Sequence, residues 1–134
     1  MKRTMFITIC LLVAVAAWSQ SDADFQKWMK SIGATCGSLK KNLDARSGEA
    51  AAADAHKLHT AFQEVHSFFQ KKNSEDAVKF AMGASDGFDK IAAQASAGKF
   101  DEASATFKET TANCASCHGA HRGKAADGSF TIKY

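Results

Sequence analysis

The sequence predicts an all-α protein, an antiparallel up-down-up-down four-helix bundle. Three observations predict it. The chain has no proline, is rich in alanine and has few β-branched residues, a composition that favours helices over strands. Apolar residues recur at steps of three and four in four successive stretches, the spacing of one inward helix face. Only short polar breaks separate the stretches, so helices of roughly 20 residues, each about 30 Å long, return antiparallel to one another.

The first 19 residues stand apart from that pattern. Lys2 and Arg3 are followed by an apolar run from Met5 to Ala17, and Ala17-Trp18-Ser19 offers small residues at the two positions a signal peptidase inspects. A membrane span needs roughly 20 residues and this run has about 13. Residues 1–19 therefore read as an export signal, with Cys10 inside it and no stable membrane anchor after cleavage. About 115 residues remain, the size of one domain with one core.

Residues 20–124 form the predicted bundle. The first seam is Phe25, Met29, Ile32, Cys36, Leu39 and Leu43. The second is Ala51, Ala55, Leu58, Phe62, Val65 and Phe69. The third runs Ala77, Ala81, Ala84, Phe88, Ile91 and Ala95, and the fourth Phe100, Ala103, Phe107, Thr110, Cys114 and Cys117. Ser47-Gly48 breaks the first two helices, Asn73-Ser74 ahead of Glu75 and Asp76 reads as a cap, and Gly98 ends the third helix. Residues 125–134 are expected to be a polar turn and a short extended tail.

Charge narrows the function classes. The formal charge is +3, and two of the positive groups, Lys2 and Arg3, leave with the signal. So small a balance gives no support to nucleic-acid binding. Export places the chain in an oxidising compartment, where Cys114 and Cys117 have a plain disulfide as one option.

The segment "NCASCHGAHRGK" concentrates the chemistry. Cys114, Cys117, His118 and His121 share one helix face at i, i+3, i+4 and i+7. Zinc needs ligands within about 2.3 Å of one ion, whereas residues seven apart on a helix lie roughly 10 Å apart along its axis. A redox dithiol is poorly placed as well, because the pair sits at the carbonyl end of its helix, where the dipole raises thiol pKa values. C-x-x-C-H is the attachment motif of c-type haem: two sulfurs bond to the porphyrin vinyl groups and the histidine ligates the iron. Together with the export signal, it makes one covalent haem c the reading of this segment.

With a C-x-x-C-H-x-x-His121-Arg122 sequence at the end of the last of four helices, the chain resembles the class II cytochromes c over residues from about 22 to 124. That family comprises cytochrome c′ and its low-spin relatives. It has tyrosine or phenylalanine where this chain has His121. Its low-spin members carry a Q-K-x-Met-Lys-x-x-Gly stretch in the first helix, and "QKWMKSIG" matches it, placing Met29 in the slot of the sixth iron ligand. The family's first-helix arginine has no counterpart, since Phe25 and Gln26 stand there. Haem propionates would then meet Lys27, Lys30 or Arg122.

The resemblance implies a monohaem electron carrier of the bacterial periplasm, not an enzyme, with His118 as proximal ligand, Met29 as distal ligand and periplasmic redox proteins as partners. The alternative is a five-coordinate, high-spin protein that binds or sequesters NO or CO. A remoter one is a haem-free bundle stapled by a Cys114–Cys117 disulfide. Relatives often dimerise through their first two helices, so a homodimer is in keeping.

Other residues have plainer readings. Met29 serves equally as core filling, because thioethers pack well in irregular gaps. Met82 is expected to pack beside the third seam. His56, His59 and His66 read as structural or solvated, and Cys36 as a buried thiol behaving as a small hydrophobe. His121 is a candidate for proton relay or a propionate hydrogen bond. Trp28, Phe62, Phe69, Phe88 and Phe107 are expected to wall a haem cavity, as they would any core.

Overall fold

The computed structural model describes residues 21–134. The expected export signal at residues 1–19, with Cys10, lies outside the described residues. Four α-helices pack as an antiparallel bundle: α1 (Asp22–Asp44), α2 (Gly48–Lys71), α3 (Glu75–Ser96) and α4 (Phe100–His121). Among the described residues no helix is long and apolar enough to cross a membrane.

The helix ends follow from local chemistry. Ser21 and Asp24 close a reciprocal capping box at the start of α1. The first three helices all end in the same way. After α3, the Gly98 amide donates to the Ala95 carbonyl and the Lys99 amide to Gln94, with Gly98 left-handed at φ +73°. Arg46 and Asn73 take the same position after α1 and α2 at φ 53° and 55°, and the Ser47 and Ser74 amides reach back to Asn42 and Phe69. These are Schellman motifs, which satisfy orphan carbonyls and turn the chain sharply. Ser74 occupies the expected cap position of α3, but its side chain makes no capping bond to the helix. Asp76 accepts from the Ala77 amide instead, at 2.9 Å.

All six positions of the second and third seams are buried, and α2 and α3 make the most extensive helix pair. Two polar ties run through the packing. Asp54 of α2 accepts from Ser38 at 2.6 Å and Asn42 at 2.8 Å, joining α2 to α1. His59 joins α2 to α3 through the carbonyl and hydroxyl of Ser85, both 3.0 Å from Nδ1. Met82 is 49% exposed, contrary to the expected packing, because the core-facing positions of α3 are its neighbours Ala81 and Ala84.

A glycine notch sets where α4 lies. A Cβ on Gly87 would overlap the side chain of Thr110, and one on Gly83 would press on Asn113 at 3.1 Å. Thr110 cannot move aside, since its hydroxyl is buried and donates to the Thr106 carbonyl at 2.7 Å. Close approach to α3 keeps α4 away from α1, and these two helices touch little.

The last residues do more than extend. Arg122–Lys124 (β1) pairs antiparallel with Phe130–Ile132 (β2), Gly123 opposite Thr131. The turn is shaped by Gly128 at φ +81° and by Asp127, which accepts from the Ser129 amide and hydroxyl. The expected division at residue 125 therefore falls inside a hairpin that folds back onto the bundle.

The notch has a measurable consequence. Gly87→Ala should destabilise the protein by about 1–3 kcal/mol, the usual cost of overpacking, despite alanine's better helix propensity. At Gly37, where a Cβ meets nothing within 4 Å, the same change should stabilise by up to about 1 kcal/mol. Thermal unfolding of the two variants should shift in opposite directions.

Candidate functional site

The gap between α1 and α4 is a cavity of about 530 Å³, within the usual range of about 300–1,000 Å³ for small-molecule sites. Its α1 wall carries Met29, Lys30 and Cys36. The α4 wall carries Cys114, Cys117 and His118, and Arg122 follows directly. Phe62, Val65 and Phe69 of α2 form the floor, and Phe130, Thr131 and Ile132 of the hairpin close one end. The wall is overwhelmingly apolar. Its charged members are Lys30, Arg122 and whatever charge the histidines carry, with no carboxylate among them.

Helical spacing explains the walls. On the α1 seam, Phe25, Ile32, Leu39 and Leu43 are buried, whereas Met29 and Cys36 are half-buried and face the cavity. On α4, Ala103, Thr106 and Thr110 are buried against the bundle, and the two cysteines, one and two turns further on, reach the gap. Phe25 and Phe80 also line it. Of the aromatics expected there, Phe62 and Phe69 do so. Phe88 stands behind, stacked on Phe62 at 5.5 Å, and Phe107 meets Phe88 edge-on. Trp28 packs edge-on against Phe25 and Phe68. A residue adjacent to the seam points past the cavity rather than into it.

The electrostatics are those of a dry site. All three described cysteines are free thiols. Burial pushes Cys36 up to about 12 and Cys117 up to about 11, and raises Cys114 as well. They stay protonated at neutral pH and are poor exchange nucleophiles. His118 is lowered, first by burial and then by the Arg122 cation, which favours the neutral imidazole that ligates metals. The Arg122 guanidinium lies 3.4 Å from the ring centroid of Phe130, a stacked cation–π contact that fixes it beside the cavity.

His121 is not available to a ligand in the expected way. It is buried, and its Nδ1 lies 2.8 Å from the Lys133 carbonyl and its Nε2 3.0 Å from the Asp76 carboxylate. The Lys133 carbonyl and the Asp76 carboxylate are both hydrogen-bond acceptors. The side chain thus joins α4, α3 and the hairpin. Lys30 borders the cavity, whereas Lys27 lies 3.8 Å from Asp24 on the helix surface. His56 is exposed and His66 half-buried on α2. Among the described residues no group of three His, Cys, Asp or Glu side chains gathers as an ion site.

Sequence reasoning missed Phe130, Ile132 and Tyr134. "DGSFTI" carried a signal, an Asp-Gly turn before an aromatic and β-branched run, which is a hairpin pattern.

Comparison with family models, curated proteins and solved structures finds no match to this chain.

The His121–Asp76 contact gives a pH dependence. Asp76 is held below its ordinary value: desolvation pushes it up, and hydrogen bonds from His121 and the Ala77 amide pull it down by more. A depressed carboxylate contributes stability above its unfolded pKa and loses it as pH falls through the folded value. Asp24 and Asp127, lowered by bonds from Ser21 and Ser129, titrate in the same direction. As pH falls below the ordinary carboxylate range the hairpin should detach, seen as the Lys133 amide resonance moving to its random-coil position. Asp76→Asn should remove part of that transition and leave the hairpin weaker at neutral pH.

Proposed function

We propose that this chain is a c-type cytochrome with a four-helix-bundle fold, similar to the class II cytochromes c, exported to the bacterial periplasm, carrying one haem c and passing single electrons. The observation that carries the reading is the meeting of four side chains at one cavity: Cys114, Cys117 and His118 from α4, and Met29 from α1. Met29 is more than 80 residues from the other three in sequence, and the fold sets its thioether across an apolar gap from them.

The residues suit that group. Cys114 and Cys117 would hold it covalently, each thiol adding across one vinyl group. His118, kept neutral by burial and Arg122, offers a ring nitrogen lone pair from the same helix. Met29 offers a thioether from the other helix, a ligand that favours ferrous over ferric iron and raises the potential. Arg122 and Lys30 line the cavity and would supply cations to pair with the group's carboxylates. Phe62, Phe69 and Val65 exclude water and lower the local dielectric, which strengthens each of these interactions. When bound, haem supplies a one-electron couple between ferric and ferrous iron.

The partners in this reading are periplasmic redox proteins, and the protein acts as a carrier rather than a catalyst. The export signal at residues 1–19 supports the compartment, because haem c is attached outside the bacterial cytoplasm.

Absorption spectra of periplasmically matured protein test the reading. Ferric protein should be six-coordinate and low-spin, with a weak near-infrared sulfur-to-iron band. Met29→Ala should turn it high-spin, speed carbon monoxide binding to the ferrous form and lower the potential. Wild-type protein already high-spin and open to carbon monoxide would make Met29 packing only and the protein a gas-binding one. Colourless protein would point to a bundle without haem. Acid-acetone treatment should leave the colour on the chain. Cys114→Ala/Cys117→Ala, with the cavity unfilled, should lose about 3 kcal/mol or more of stability, read from thermal unfolding.

A further inference from the structure

The hairpin, residues 122–134, reaches from one wall of the cavity to the other. At the α4 side it continues the helix directly. The Lys133 amide donates to the His121 carbonyl at 2.7 Å, and the His121 ring returns a bond to the Lys133 carbonyl while its other nitrogen is anchored on Asp76. At the α1 side, Gln26 Nε2 donates to the Phe130 carbonyl at 3.3 Å, and the Tyr134 hydroxyl donates to Asp22 at 2.5 Å. Gln26 and Met29 are three apart, on one face of α1.

The strand reaches α1 across the side of the gap where the helices themselves barely touch. Tyr134 is the far anchor. Its ring lies 6.3 Å from Phe68 and 6.4 Å from Phe69, with Lys72 Nζ 4.7 Å from its centroid. Burial and the Asp22 carboxylate push its phenol up, so it remains a hydrogen-bond donor at any physiological pH.

From this juxtaposition we propose that the hairpin is a strap, which holds the Met29 face of α1 against the cysteine-bearing end of α4 and so controls entry to the cavity. Two facts make it a strap rather than a fixed wall. Its strands are three residues each, and an isolated two-stranded hairpin is marginal in water. Its grip on α1 therefore rests on two hydrogen bonds, from Gln26 to the Phe130 carbonyl and from Tyr134 to Asp22, between partly or fully exposed residues that open at low free-energy cost. Opening releases α1 at Asp22 and Gln26, the turns preceding Met29. The strap itself stands on geometry alone; its consequence for gas access rests on the haem reading.

The test uses the full matured chain, a Gln26→Ala/Tyr134→Ala variant, and a chain ending at Lys124. Amide hydrogen exchange should rise about tenfold across residues 24–33 in both variants, the scale of losing one or two net hydrogen bonds, and stay unchanged across 84–95. Carbon monoxide should bind the reduced variants faster in step. Unchanged exchange at 24–33, or a uniform rise over all four helices, overturns the strap. A local rise without faster carbon monoxide binding overturns its control of entry. A chain without haem would defeat the proposed function, and the exchange comparison would still decide the strap.

Discussion

One end of this bundle cannot be filled by its own side chains, and the rest of the structure is arranged around that constraint. From Thr110 onward the inward face of α4 offers a hydroxyl and two thiols, and the facing stretch of α3 offers Ala77 and Ala81, so the phenylalanines and valine of α2 have too little opposite them to close the core. The glycine notch at Gly83 and Gly87 draws α4 onto α3 instead of centring it between its neighbours. The unfilled volume is therefore collected on the α1 side as one cavity rather than dispersed as small voids. Close packing elsewhere, with aromatic rings stacked across α2 and α3, makes that localisation possible.

The cavity is apolar but not indifferent. Its walls bring soft donors from two helices to one space, and its rim is cationic with no carboxylate. The buried thiols are held protonated, which makes them poor nucleophiles for disulfide exchange. His118 is kept neutral by its surroundings. These environments come from the backbone frame: two turns of α4 past the last buried threonine, one turn of α1 past Phe25. A site built on helices rather than loops keeps its spacing.

Much of this was legible in the sequence, and the reason is periodicity. Each seam appears as a run of threes and fours, so the four helices, their breaks and the shared face of Cys114, Cys117 and His118 follow without coordinates. Met29 and Cys36 are visible as seam positions, but their exposure to a gap is not, because it depends on how far α4 stands from α1. Phe88 and Phe107 fall behind the cavity for the same reason. The tie between His121 and Asp76 spans 45 residues and has no local signature. Tyr134 docks through partners more than 60 residues away, so its turn is readable and its destination is not. His121 illustrates the difference most clearly, since its place on the helix face suggests a ligand contact and its actual partners are structural.

If this cavity holds one haem bonded to Cys114 and Cys117, as we propose, the mass of the mature chain records it. Intact-mass spectrometry of the chain, produced in a bacterium with an active c-type maturation system, tests it most directly. A single mass increment of one haem that survives denaturation is expected, and it should disappear when both thiols are replaced. A wild-type chain at its unmodified mass, or one whose haem is lost on denaturation, would contradict the proposal.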